Sequence, residues 1–327
     1  MGILYAANEK HTKYFHHGYM MDTNINIEDD LELYSCKFLR KGERRIVRKL
    51  RRDVLYGATF DHLSKLRAHT YDKTSSMPRF LLKVYNMYED ASSVHVVMER
   101  CTGGFLTDDL LDESNVISER LLAEWFFQII VAMAFLEEQN IHHGNLNGYC
   151  IYLKDQKRDE VRVSLLSKDK KYDNIDYNGD LYGLFFIRSP QEIKKLNHNK
   201  NNTWYIGLLL YFMLTGSFPF FNKDALQTYS DIAHEEVSLA HLKTQYSKLG
   251  SPIFDFIKQC LEKDYDLRPT LHELAQHPWI RGRDNLPLHN IIDEKTRKEA
   301  RELIYSLENG ILKTEEDYDE DELNKSW

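Results

Sequence analysis

The sequence predicts an α+β protein in two lobes, a small, mostly β N-terminal lobe followed by a larger, mostly α C-terminal lobe. Short runs rich in β-branched and aromatic residues at Tyr34–Leu39, Arg45–Leu50, Phe80–Tyr88 and Val94–Glu99 read as strands of one small sheet. The character changes after Thr102-Gly103-Gly104, a glycine break. Beyond it, Arg120–Gln139 sets Leu122, Trp125, Phe126, Ile129, Ile130, Met133 and Leu136 at the i, i+3/i+4 spacing of a helix packed on one face.

The remaining elements follow in order. Residues 1–30 are polar, rich in His and Asn and without a clear period, so they are expected to form a mobile leader. Thr59–His69 carries Phe60, Leu63 and Leu66 at helical spacing and should cross the sheet. Further helices are expected at Asn201–Thr215, Ile253–Lys263 and Thr270–Gln276, the last stopping before His277-Pro278 as proline requires. Asp293–Glu308 is helical by composition and could dock on the domain, whereas Glu315–Glu322 is nearly all acidic and should be solvated. The expected divisions are a leader at 1–30, a small lobe at 31–98, a large lobe at 99–281, a helical extension at 282–312 and a disordered acidic tail at 313–327.

With 327 residues, 42% of them apolar and only 7 prolines, the chain can build one large two-lobed domain. No apolar run approaches the ~20 residues needed to span a bilayer. The start, Met1 to Ala6, lacks signal-peptide regions, and Ala6 stands where the myristoylation pattern wants Ser or Thr. Cys36, Cys101, Cys150 and Cys260 lie far apart, which indicates neither a zinc knuckle nor a disulfide framework and fits a reducing, cytoplasmic compartment, with a peripheral place on membrane or cytoskeleton kept open. A net charge of −8 argues against nucleic acid as the main partner. Locally the balance reverses: nine basic residues stand between Lys37 and Arg52 against one acid, Glu43, and could hold an acidic ligand such as a peptide, phospholipid or RNA, or could be a solvated strand face.

A series of short motifs runs through the second half of this pattern. Val96-Val97-Met98-Glu99-Arg100-Cys101-Thr102-Gly103-Gly104 comes first, then Ile141-His142-His143-Gly144-Asn145-Leu146 with Cys150-Ile151-Tyr152-Leu153. Ser189-Pro190-Gln191, Trp204-Tyr205-Ile206-Gly207, Leu214-Thr215-Gly216, Leu267-Arg268-Pro269-Thr270 and His277-Pro278-Trp279-Ile280 complete it. Taken singly, each is a turn or a core aromatic. In this order, from about Phe80 to Ile280, they resemble the eukaryotic protein kinase domain, and more narrowly its calcium/calmodulin-dependent and calcium-dependent branch. The resemblance implies a kinase-like two-lobed fold with Met98 as gatekeeper, Glu99 and Cys101 in the hinge, and a nucleotide pocket vestigial at Gly42, Ile46, Arg48, Met98, Glu99, Cys101, Phe105 and Tyr152.

Phosphoryl transfer rests on positioning and charge-stabilising groups: a glycine-rich loop, a lysine on the phosphates, a catalytic aspartate and two metal ligands. Against this pattern the chain departs at each point. Leu39–Ile46 offers only Gly42, and the first hairpin looks truncated. Ile46-Val47-Arg48 resembles the Ala-x-Lys of the third strand, so Arg48 takes the lysine position and Ile46 projects into the adenine slot. Asn145 stands for the aspartate base, and an amide cannot accept a proton as a carboxylate can. Cys150 replaces the asparagine metal ligand with a soft thiol. Leu165 replaces the metal-binding aspartate, while Leu166 and His143 keep the apolar spine. Phe105 stands where a ribose-contacting acid is common. Gln191 and Arg268 should turn a buried ion pair into a charge–amide bond.

Asn174-Ile175-Asp176-Tyr177-Asn178-Gly179-Asp180 opens like a calcium loop, but position twelve is Phe185 in place of the bidentate Glu, and Asp293–Trp327 holds no EF-hand. His142 and His143, like His16 and His17, have no partner positioned to complete a metal site. The expected function is therefore that of a catalytically inactive kinase-like protein, a scaffold or allosteric partner of proteins in signalling, with ATP and magnesium binding absent or weak. The alternatives are an unorthodox Ser/Thr protein kinase and a nucleotide sensor without phosphotransfer.

Overall fold

The computed structural model describes residues 15–16, 18–28, 31–51, 58–141, 143–144, 146–167, 188–194, 200–222, 224–246 and 249–308. The small lobe opens with β1 (Phe15–His16), β2 (Tyr19–Glu28), β3 (Leu31–Phe38) and β4 (Arg44–Arg51). Helix α1 (Ala58–Tyr71) then precedes β5 (Val84–Glu89) and β6 (Ser93–Glu99). The six strands form one antiparallel sheet in the order β1-β2-β3-β4-β6-β5.

Alternation along β4 divides this sheet into two faces. Arg45 and Val47 turn outward into a cluster of Tyr19, Cys36, Val47 and Val97, whereas Leu50 belongs to the main core with Leu63 and Leu66 of α1. Two expectations are corrected here. Residues 1–30 are not a leader throughout, because Tyr19–Glu28 forms a ten-residue strand whose Tyr19 is 2% exposed. Its period is hidden in the sequence because the β2–β3 register shifts between Met21 and Thr23 and again between Asn24 and Asn26, and each irregularity breaks the alternation. For the same reason the first hairpin is not truncated. Glu28 pairs with Leu31, so β2 and β3 are joined through Asp29-Asp30.

The large lobe begins with α2 (Leu106–Leu111) and α3 (Glu119–Glu138), the latter capped by Ser118, whose hydroxyl accepts from the Leu121 amide at 3.1 Å. A short hairpin of β7 (Ile151–Leu153) and β8 (Val161–Val163) follows. Then come α4 (Pro190–Ile193), α5 (Asn201–Thr215), α6 (Ala225–His234) and α7 (Ala240–Gln245). The series ends with α8 (Ser251–Cys260), α9 (Leu271–Ala275), α10 (Pro278–Arg281), a 3-10 turn at Arg283–Asn285, and α11 (Glu294–Glu308).

Helix α5 is apolar all round and buried from Asn202 to Thr215, as a helix at the centre of a lobe must be. It ends at Gly216 in the left-handed region (φ 72°), and a Cβ there would stand 2.2 Å from the Thr296 carbonyl of α11. That close approach seats α11 on the lobe. Arg297 reinforces it by donating to the carbonyls of Leu110, Asp112 and Asn115. Among the described residues no helix is long and apolar enough to cross a membrane.

Candidate functional site

The cleft between the lobes is built by β4, β6, the chain from Cys101 to Phe105, and the β7–β8 hairpin. Ile46 on β4 lies directly opposite Met98 on β6, and both are buried. Two residues along the same face, Arg48 is 1% exposed. Its guanidinium Nη1 donates to the carbonyl of Ser167, two residues beyond Leu165. The cation at the lysine position is thus bound to the backbone of the segment in which the family places its metal-binding aspartate.

That segment is held tightly. The imidazole Nε2 of His143 lies 2.8 Å from the Ser164 carbonyl, and the Leu166 amide donates to the Ser164 hydroxyl at 3.0 Å. Burial pushes the His143 imidazole down to about 4, so it is neutral near pH 7, with Nε2–H as the donor and Nδ1 buried without a partner among the described residues. Leu166 is 1% exposed within the main core, and Leu165 packs against that core half-buried. Cys150 is buried, its carbonyl accepting from the Ser164 amide at 2.8 Å.

The floor is aromatic. Phe105 lies against Tyr152 with ring centroids 4.4 Å apart and against Tyr149 edge-on at 6.1 Å. The hinge is tied to this floor by bonds from Thr102 to the Lys154 carbonyl (3.0 Å) and from Leu153 to the Gly104 carbonyl (2.9 Å). A Cβ on Gly103 would meet the Asp155 carbonyl at 2.5 Å, which is why the hinge needs glycine there. Glu99 is engaged by Arg162 at 3.1 Å, and burial pushes the Cys101 thiol up to about 12.

The structure therefore brings Ile46, Arg48, Met98, Cys101, Phe105, His143, Cys150, Tyr152 and Leu165 to one cleft, with Glu99 at its rim. Gly42 is not among them. It sits at φ 70° in the turn between β3 and β4, at the opposite end of β3 from Leu31, about 20 Å along the strand. The strand pair that precedes the Arg48 strand closes at Glu28 and Leu31, and the two residues between them in the sequence, Asp29 and Asp30, include no glycine. Tyr149 joins the floor although the sequence did not single it out; its neighbour Tyr152, three residues on, was the available signal. Asn145, His142, the loop at 174–185 and the tail at 313–327 lie outside the described residues.

At the base of the large lobe the expected charge–amide bond is present. Arg268 Nη2 donates to the Gln191 side-chain oxygen at 2.8 Å, and its Nε donates to the Glu262 carbonyl at 2.7 Å. Burial pushes the Arg268 guanidinium down to about 10, and the nearby Glu192 carboxylate is the largest influence opposing that shift. Among the described residues no group of three or more His, Cys, Asp or Glu side chains could hold a metal ion.

Comparison with known proteins agrees with this architecture. The family described as Protein kinase domain matches residues 68–280. Calcium-dependent protein kinase 6 of Plasmodium berghei is 29% identical over 236 residues, which are 69% of this chain and 16% of that protein. A calcium/calmodulin-dependent serine/threonine-protein kinase 1 of Oryza sativa is 29% identical over 216 residues, 65% of this chain and 36% of that protein. The chain thus matches only about a sixth to a third of these relatives' length. The autoinhibited serine kinase domain of the giant muscle protein titin superposes with a TM-score of 0.71 at 16% identity, covering 88% of each chain, a likeness of fold. On the match over residues 68–280, together with the two-lobed architecture around one cleft, this chain belongs to the protein kinase family.

Proposed function

We propose that this chain is a catalytically inactive protein kinase-like protein, a pseudokinase that works in the cytoplasm as a scaffold or allosteric partner of other proteins. The observation that carries this reading is the Arg48 guanidinium, buried and spent on the Ser167 carbonyl. A phosphate-binding cation must be free to turn toward its anion, and a buried arginine that gives up such a bond loses about 1.5–3 kcal/mol.

The residues present do not fit a magnesium nucleotide. Leu165 offers no oxygen to a hard cation, and Cys150 offers only a thiol. Ile46 stands opposite Met98, where the family would seat adenine. Asn145, where the family has its base, cannot accept the substrate proton. Four free cysteines, three of them buried, suit a reducing cytoplasm.

The test is thermal unfolding of the full chain with and without ATP and magnesium. No change in Tm is expected. A ligand present at a hundred times its Kd would add about 2.7 kcal/mol and raise Tm by several degrees, which would overturn the reading. The kinase relatives motivate a parallel assay: incorporation of labelled phosphate that disappears in Arg48→Ala would assign an unorthodox Ser/Thr kinase instead. ATP stabilisation without magnesium and without transfer would assign a nucleotide sensor.

A further inference from the structure

Of the nine cations between Lys37 and Arg52, eight lie among the described residues, and two of these are buried, one on each face of the sheet. Arg48 lines the cleft, and Arg45, 5% exposed, is enclosed on the outer face of the sheet. The Arg45 guanidinium lies 3.6 Å from the Tyr85 ring centroid and 4.6 Å from that of Phe38, and donates to the Tyr19 hydroxyl at 2.6 Å and to Glu43 at 2.8 Å. Glu43, the one acid of this segment, is thereby occupied by a buried partner.

Four of the others gather in a compact cationic tip at the β3–β4 turn. Lys37, Arg40, Lys41 and Arg44 are all exposed, and none has a carboxylate partner among the described residues. Lys37 and Arg44 stand directly opposite in the β3–β4 register, where like charges destabilise a sheet. Leu39 projects among them, 48% exposed. The tip is stiff as well: Phe38 donates to the Glu43 carbonyl at 2.8 Å, Gly42 to the Phe38 carbonyl at 2.7 Å, and Leu39 to the Gly18 carbonyl at 2.9 Å.

We infer that the β3–β4 turn is a docking tip for an anionic phospholipid surface, with Lys37, Arg40, Lys41 and Arg44 at the headgroups and Leu39 inserted below them. A lipid interface is the partner that satisfies both features at once, since it offers phosphate to the cations and an apolar layer to the leucine. A soluble anion or a nucleic acid would use the charges and leave Leu39 in water. The chain's net charge of −8 does not oppose this contact strongly, because charges farther than about 8 Å are screened at physiological salt. This goes beyond the pseudokinase reading and does not depend on it.

The experiment is co-sedimentation of the full chain with vesicles of phosphatidylcholine alone or with about a quarter phosphatidylserine, at low and high salt. Binding is expected to the phosphatidylserine vesicles and to weaken with salt. Arg40→Gln with Lys41→Gln should lower the apparent affinity roughly thirty-fold, from about one kcal/mol per cation. Leu39→Ser should lower it about ten-fold while leaving the salt slope unchanged. Lys37→Gln with Arg44→Gln relieves a like-charge contact, so it cannot weaken binding by unfolding the sheet, and it should match the first pair. Absence of binding to phosphatidylserine vesicles would overturn the proposal, as would unaltered binding by either charge pair. An unaffected Leu39→Ser whose binding is competed by inorganic phosphate or a short RNA would assign the tip to a soluble anion or a nucleic acid.

Discussion

Two buried arginines mark the difference between the cleft and the base of the large lobe. Arg268, at the base, keeps a side-chain partner: Gln191 stands for the family's carboxylate, and its amide oxygen holds the guanidinium at 2.8 Å. Arg48, in the cleft, is held by the main chain of Ser167. At the base, a change of residue leaves the shape and the bond intact. In the cleft, Ile46 and Cys150 are buried, Leu165 packs against the main core, and Phe105 lies on Tyr152. The fold depends on buried bonds whose geometry tolerates an amide for a carboxylate. Phosphoryl transfer depends on charges at fixed positions, and the proposed inactivity rests on their replacement here.

The largest effect should therefore come from breaking the base. Arg268→Ala removes a 0%-exposed guanidinium from Gln191 and the Glu262 carbonyl, and should cost about 3–5 kcal/mol in urea unfolding. Gln191→Ala should cost less, about 2 kcal/mol, because the Glu262 carbonyl still accepts from Arg268. If the two losses were equal, the amide would carry the whole latch and the Glu262 carbonyl would contribute nothing.

The two regions should also answer pH with opposite signs. Burial holds the His143 imidazole at about 4 against an ordinary 6.5, so the unfolded chain takes up this proton first as pH falls. Stability from His143 is complete above about pH 6.5 and is lost toward pH 4, amounting to about 2 kcal/mol between about pH 7.5 and pH 5. In the large lobe, Glu137, bonded by Asn202 at 2.8 Å, is pushed by burial up to about 7 from 4.5. Its contribution is present below pH 4.5 and fades as pH rises through about 7, and it is the smaller because Glu137 is only half-buried. Urea midpoints of His143→Phe and Glu137→Gln at the two pH values should shift the wild-type slope in opposite directions. A shift of the same sign in both would refute the assignment of either group.

How much of this was legible in the sequence varies with what holds each part. Helix α5 could be read to its ends, because Asn201–Thr215 is apolar on every face and stops at a left-handed Gly216. The strand β2 could not, since its bulges remove the alternation by which a strand is read, and α7, with six residues, is too short to show a period. In the cleft, Arg48 was legible from Ile46 and Val47 beside it. Its partner was not. Ser167 lies 119 residues away and contributes a carbonyl, and a backbone acceptor leaves no mark on residue identity. The basic run was legible as composition, but only the pleat of β4 decides that Arg48 is buried toward the cleft and Arg45 in the cluster on the other face.

The smallest effect tests whether Arg48 alone closes the cleft. Arg48→Lys keeps the charge and loses the planar fork, so the bond to the Ser167 carbonyl should weaken at a cost of about 1.5 kcal/mol in urea unfolding. Lysine is the residue that the active family carries at this position, yet the variant should still show no rise in Tm with ATP and magnesium. Ile46 still faces Met98, and Leu165 still offers no ligand to the metal. A Tm that rises with ATP in Arg48→Lys would mean that one guanidinium stood between this chain and its nucleotide. The cleft would then differ from the base by a single side chain, and the other substitutions would be tolerated passengers.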